Sequence, residues 1–163
     1  MTEVRVREVP ARRVVVERHT TGQDGLSELL QRSMANVSTA AQEQHGGVLG
    51  TAAQPHLERP GPDEPVFVVI YGGNPNEGPV LLEVCAPVAG DGGEEQPAHR
   101  EAYVRVTKAT VLAGELGGVY EAVEEWITAN GEDISGPPRE TYWTDFFGAA
   151  PGDEVFDVGF PIA

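Results

Sequence analysis

The chain has 163 residues, enough for one domain with a real core. Eleven Lys and Arg face 26 Asp and Glu, a net charge of −15 that divides into +1 over residues 1–32 and −16 over residues 33–163. Such a field repels phosphate backbones and attracts cations, so direct nucleic-acid binding is not expected.

In chain order, Arg12–Val16 is basic and then β-branched, and reads as a first strand. Thr21 or Asp24 is placed to cap the next element. Leu26, Leu29, Leu30, Met34, Val37 and Ala41 recur at three- and four-residue intervals, which predicts an amphipathic helix of about five turns ending before Gly46-Gly47. Residues 46–65 are rich in Gly, Pro and polar side chains and read as a long, mobile connection. Pro65–Tyr71 is the strongest strand signal, Gly72–Gly78 supplies a turn, and Val80–Val88 completes a hairpin. Residues 89–97 read as a polar, Gly-rich loop.

A second cycle follows. Glu101–Val111 reads as a strand, with an interruption near Lys108, running towards Leu116. Val119, Tyr120, Val123, Trp126 and Ile127 share one helical face, with Glu121, Glu124 and Glu125 mainly on the other. Asn130-Gly131 is the stop signal. Arg139–Thr144 and Val155–Ile162 are two further strands.

The order strand–helix–strand–strand thus occurs twice. Glu83-Val-Cys-Ala-Pro-Val88 also matches Asp157-Val-Gly-Phe-Pro-Ile162 in an acid, a Val, a Pro and a closing β-branched residue. Together these predict an α+β domain over residues 1–163, with pseudo-repeat halves of about 1–90 and 98–163. Duplicated β-α-β-β halves would share one antiparallel sheet, carry two helices on one face and leave a central ligand cleft.

The motifs exclude more than they name. G-x-S-x-G, H-E-x-x-H, a phosphate-binding loop and a dinucleotide fingerprint are all missing from the sequence. His19, His45, His56 and His99 are scattered, so neither a shared metal site nor a cofactor is expected. A single Cys permits no internal disulfide and no thiolate cluster, and Cys85 within an apolar strand reads as a structural thiol. With no apolar leader and no run of about 20 apolar residues, the cytoplasm is the expected location and a membrane is not an expected partner.

The informative stretch is Gly136–Asp145. Strand alternation puts Glu140 and Tyr142 on one face and Arg139, Thr141 and Trp143 on the other. An acid beside an aromatic on a cleft-lining face favours a cationic ligand, whereas on a solvated face it is ordinary. Glu83 and Asp157 read as polar strand positions or as alternative pocket acids. Tyr71 ends a hairpin strand, and Tyr120 and Trp126 lie on the apolar helical face. Aromatic faces offer a flat cation stacking area and an attractive quadrupole without strict hydrogen-bond geometry.

Over residues 3–162 the chain resembles the GyrI-like effector-binding domain. The resemblance rests on VREVPARRVVVERH at 4–19, PVFVVIYG at 65–72, PVLLEVCAPV at 79–88, GGVYEAVEEWI at 117–127, GPPRETYWTD at 136–145 and EVFDVGFPI at 154–162. It implies a duplicated β-α-β-β fold whose pocket binds bulky lipophilic cations with aromatics around a glutamate, here Glu140. Tyr71, Trp126, Tyr142, Trp143 and Phe156 are the implied wall, with Tyr120 and Glu83 as further ligand-binding candidates. Strand parity places Tyr142, not Trp143, on the Glu140 face.

The first strand begins near residue 4, so no helix-turn-helix is expected ahead of the domain. The resemblance implies a solitary drug-binding protein. It also implies two alternatives, a hydrolase of cyclopropane-containing DNA-alkylating natural products with Glu140 as base and Tyr142 as hydrogen-bond donor, and a partner of DNA gyrase or another protein.

Overall fold

The computed structural model describes residues 3–46, 65–90, 92–144 and 146–163. The elements in chain order are β1 (Arg5–Val9), β2 (Arg12–Thr21), α1 (Leu26–His45), β3 (Phe67–Tyr71), β4 (Val80–Val88), β5 (Glu94–Gln96), β6 (His99–Thr107), α2 (Lys108–Leu112), α3 (Leu116–Ala129), β7 (Arg139–Tyr142) and β8 (Glu154–Ile162). The strands form one antiparallel sheet in the order β1-β6-β8-β7-β3-β4-β2-β5. The expected α+β architecture is therefore present, with α1 packed on β2 and β4, and α3 on β6 and β8.

The register reveals the duplication. Arg13 pairs with Val88 and Arg100 with Ile162, so β2–β4–β3 superposes in pattern on β6–β8–β7. Glu83 and Asp157 then occupy equivalent positions, and each meets an equivalent arginine. Arg18 Nε donates to Glu83 at 3.1 Å, and Arg105 Nε donates to Asp157 at 2.9 Å. The same register aligns Glu8-Val-Pro-Ala-Arg-Arg13 with Glu95-Gln-Pro-Ala-His-Arg100, a second repeat in which Glu, Pro, Ala and the final Arg match. At the centre, Val69 pairs directly with Glu140, and these two are themselves equivalent. The pseudo-twofold axis passes between them.

The two Pro-Ala connections dictate the sheet's shape. β1 stands first in the sheet and β2 seventh, yet only Pro10 and Ala11 separate them. Six strand spacings on a flat sheet measure about 29 Å, whereas three Cα–Cα steps reach at most about 11 Å. The sheet must curl until its two edges meet, and Pro97-Ala98 between β5 and β6 repeats the constraint. Each half in consequence contributes its leading strand to the other half's edge. The curl also accounts for burial on both faces. Leu82, Val84, Val158, Phe160 and Val123 pack on the helix side, while Val14, Val68, Cys85 and Asp157 are buried on the other face, which carries no helix among the described residues.

α1 follows its predicted face, with Leu26, Leu30, Met34, Val37 and Ala41 all buried. Its start differs from expectation. Neither Thr21 nor Asp24 caps it; the N-cap is Gly25 in the left-handed conformation at φ +74°, a turn that a side chain would strain. The strand expected to run through Val111 breaks at the interruption expected near Lys108 and does not resume: it stops at Thr107, whose hydroxyl accepts from the Thr110 amide and opens α2 instead. The predicted 89–97 loop contains β5, and β1 precedes the predicted first strand. The long connection expected over 46–65 falls on residues 47–64, outside the described residues. Among the described residues no helix is long and apolar enough to cross a membrane.

Candidate functional site

β3 and β7 lie side by side at the middle of the sheet, with Phe67 opposite Tyr142 and Val69 opposite Glu140. Side-chain alternation sends Tyr71, Glu140 and Tyr142 to the helix side. α3 brings Tyr120 over them. All three phenols donate to one carboxylate: Tyr142 at 2.7 Å and Tyr71 at 3.2 Å to Oε1, and Tyr120 at 2.8 Å to Oε2. Glu140 is only 4% exposed.

This carboxylate is solvated by hydroxyl dipoles and by no protein cation, since no Lys, Arg or His among the described residues forms an ion pair with it. Burial pushes its carboxyl above the usual value, and the hydroxyls of Tyr142, Tyr120 and Tyr71 pull in the opposite direction without cancelling the shift. Burial, followed by the charge of Glu140, holds all three tyrosines well above 10. They therefore remain donors at physiological pH.

The raised carboxyl pKa has a definite sign for stability. The folded state holds the Glu140 proton more tightly than the unfolded chain, so this group's contribution is most favourable below the unfolded value near 4.5 and is lost as pH rises through the folded value. Urea unfolding of wild type and Glu140→Gln across that window should show this falling component in wild type alone. Equal pH slopes for the two proteins would contradict the burial penalty.

Aromatic rings surround the carboxylate cluster. Tyr142 stacks at a tilt on Phe156 at 4.7 Å and meets Phe146 edge-on at 6.4 Å, and Tyr120 meets Phe160 edge-on at 6.1 Å. Lys108 Nζ sits 5.2 Å from the Phe146 ring centre and donates to the carbonyls of Phe147 and Ala149, fixing that turn. Phe146 and Phe160, which pack on these tyrosines, and Phe147, which meets Phe146 edge-on at 5.3 Å, are not among the candidates read from the sequence. The Phe146-Phe147 pair directly after the Tyr-Trp stretch is the sequence signal that points to two of them.

The other candidates lie elsewhere. Trp126 is half-buried against the main core. Trp143 faces the helix-free side and donates its indole N–H to Asp157 at 2.9 Å. Glu83 is on that side too, bound to Arg18. Cys85 is fully buried there, and burial followed by the Glu83 charge pushes its thiol up to about 12, leaving it unreactive.

One triad-like cluster is structural. His19 Nε2 contacts both Glu17 at 2.7 Å and Ser33 at 3.0 Å, and Ser33 donates to Glu17 at 2.7 Å. A nucleophilic relay needs the acid and the serine on opposite ring nitrogens; here both fall on one, and Ser33 is fully buried. The cluster fastens α1 to β2. Among the described residues no group of three or more His, Cys, Asp or Glu is placed to hold a metal.

The fold resembles that of the EcmrR C-terminal domain. All of this chain aligns with 98% of that domain at a TM-score of 0.72 and 16% identity. Against EcmrR in its complex with DNA in EcmrR-RPo the TM-score is 0.73 at 16% identity, covering 99% of this chain and 57% of the longer one. The chain thus spans little more than half of that protein. A hydrolase from Listeria innocua aligns with 99% of this chain and 92% of its own at a TM-score of 0.59 and 9% identity. No protein-family model and no curated protein matches the sequence. At these identities the likeness establishes a shared fold, and function has to be read from the site.

Proposed function

We propose that the protein binds bulky, lipophilic organic cations at Glu140, within the wall formed by Tyr71, Tyr120, Tyr142 and the neighbouring phenylalanines. The observation that carries this reading is a buried carboxylate held by three phenols and, among the described residues, by no protein cation. An uncompensated buried charge is costly, and a delocalised cation with apolar flanks relieves that cost while burying its own surface against the rings. Phenols also yield at small cost, because each can rotate from the carboxylate to a ligand without leaving a charge unpaired. The shared fold with the EcmrR C-terminal domain and the sequence resemblance to GyrI-like domains support the same reading.

The test is calorimetric titration with tetraphenylphosphonium and its neutral isostere tetraphenylmethane made soluble by matched substitution. The cation should bind at least tenfold more tightly, and its affinity should rise with pH through the elevated Glu140 pKa, because binding expels the proton. Equal affinity for the two compounds, or an affinity independent of pH, would overturn it.

A second reading, hydrolysis of a strained electrophile, draws on the fold shared with the Listeria innocua hydrolase and on the juxtaposition of Glu140 with phenolic donors. Glu140 would take a proton from water and Tyr142 would hydrogen-bond the developing anion. Mass-spectrometric detection of water addition to a cyclopropane-bearing alkylating agent, over many turnovers, separates catalysis from binding.

A further inference from the structure

The sequence holds ten arginines and a single lysine, Lys108. Lys108 opens α2, and two backbone bonds tie that opening to the turn before β8. Its amide donates to the Asp153 carbonyl at 3.0 Å, and the Ala109 amide donates to the Pro151 carbonyl at 2.7 Å. The Lys108 side chain reaches the start of the same turn. Nζ donates to the Phe147 carbonyl at 3.2 Å and the Ala149 carbonyl at 3.0 Å, and lies 5.2 Å from the Phe146 ring centre.

What these partners lack is a negative charge. Among the described residues Lys108 forms no ion pair, and Asp153 turns Oδ2 to the Ala150 amide at 2.9 Å. Arg7 and Arg105, by contrast, are both neutralised by Asp157. An ammonium held by carbonyl dipoles and a ring quadrupole still presents its charge to whatever lies beside it.

Beside it is the wall of the cation site. Phe146 meets Tyr142 edge-on at 6.4 Å and tilts against Phe156 at 6.2 Å, and Tyr142 donates to Glu140. Glu140, Tyr142, Phe146 and Lys108 thus form a series, with an anion at the buried end and a cation at the half-buried end. One positive charge of a ligand can pair with Glu140. A second has no carboxylate to take it, because Glu83, Glu101 and Asp157 lie on the other face of the sheet, each bound to an arginine. Along the aromatic wall it meets Lys108 instead. At about 10 Å and an effective dielectric constant of about 20, repulsion between two unit charges changes affinity on the order of tenfold.

Resting on the reading of Glu140 as a cation site, we propose that Lys108 makes that site selective for singly charged organic cations over dications. Glu140 supplies attraction for one charge, and Lys108, two rings away from the carboxylate, raises the cost of a second. The net charge of −15 acts the other way, since it draws multivalent cations to the surface more strongly than monovalent ones. The discrimination is therefore made inside the wall.

The probes are two triphenylphosphonium ions that differ only at the end of one propyl chain. One ends in tert-butyl and the other in its isostere trimethylammonium, so the shape is shared and the charge is one or two. Calorimetric titration into the full chain should show the monocation binding at least about tenfold more tightly. In Lys108→Gln, which keeps an amide donor but loses the charge, that ratio should shrink at least about fivefold, and Lys108→Arg should retain it. A role confined to holding the turn would weaken both ligands alike and leave the ratio unchanged, which overturns the proposal. Equal affinity of the two ligands for wild type overturns it too, while leaving the cation reading of Glu140 intact. Binding of neither ligand to wild type overturns both.

Discussion

Glu140→Gln should abolish the discrimination between organic cations and their neutral isosteres. The substitution keeps the side chain's volume and leaves it able to accept from the tyrosine hydroxyls, which can themselves accept from the new amide. What it removes is the charge that a bound cation would pair with in a site only 4% exposed. Breaking a desolvated ion pair costs roughly 2–5 kcal/mol, which corresponds to a thirtyfold or greater loss of cation affinity. The neutral compound should lose less than threefold. Calorimetry on both ligands with both proteins completes the comparison, and thermal unfolding establishes that the variant is folded. A cation affinity that survives the change would move the site away from β7.

Asp157→Ala should produce the largest loss of stability among single substitutions on the helix-free face. Asp157 is fully buried and accepts from Arg7 Nη1 at 2.7 Å, Arg105 Nε at 2.9 Å and Trp143 Nε1 at 2.9 Å. Arg7, itself 9% exposed, also donates to Glu101 at 3.2 Å and lies 3.9 Å from the Tyr103 ring centre. Two guanidiniums thus face two carboxylates inside the curl. Deleting Asp157 leaves an uncompensated positive charge there, at about 3–5 kcal/mol, or a fall in melting temperature of about 10–15 °C at this chain length.

The duplication supplies the control. Glu83 holds the equivalent position against Arg18, but that pair is half exposed, with side-chain accessibilities of 26% and 49%. Glu83→Ala should cost less than about 1 kcal/mol. If urea melts gave equal losses for the two acids, burial would not be what makes the Asp157 network matter.

Glycine is obligatory next to that network. A Cβ on Gly159 would collide with the Glu101 carboxyl group. Cys85, the counterpart of Gly159, faces Val14, the counterpart of Glu101. One half therefore fills the curl with apolar side chains and the other with charge, on the same backbone pattern.

The sequence carried the main elements because their signals are collective. α1 and α3 each repeat an apolar side chain every three or four positions, and β4 matches its predicted bounds because it is a nearly continuous apolar run of which six of nine residues are buried. β5 leaves no strand signal, and β1 is legible only as a strand start near residue 4, because edge strands are built from charge, as in Arg-Val-Arg-Glu-Val and Glu-Glu-Gln, to discourage wrong pairing. α2 escaped because Thr107–Leu112 has β-branched residues typical of strands, and a hydroxyl cap overrides that local preference. At the site, period-two alternation separates Tyr142 from Trp143 correctly. Tyr120 read as an apolar face residue because periodicity reports where a ring is buried and is silent about its hydroxyl.

The exchange of β1 and β5 between the halves also governs how the chain must fold. Neither half can complete its sheet from its own residues: β2 waits for β5 and β6 waits for β1. Completing either half's sheet therefore requires holding residues 5–9 against 99–103 and 12–14 against 94–96, which closes loops of 79 residues or more. Such long-range closure makes for slow acquisition of structure and a single cooperative transition. A chain cut between the repeats would yield two fragments that reconstitute each other but do not persist alone.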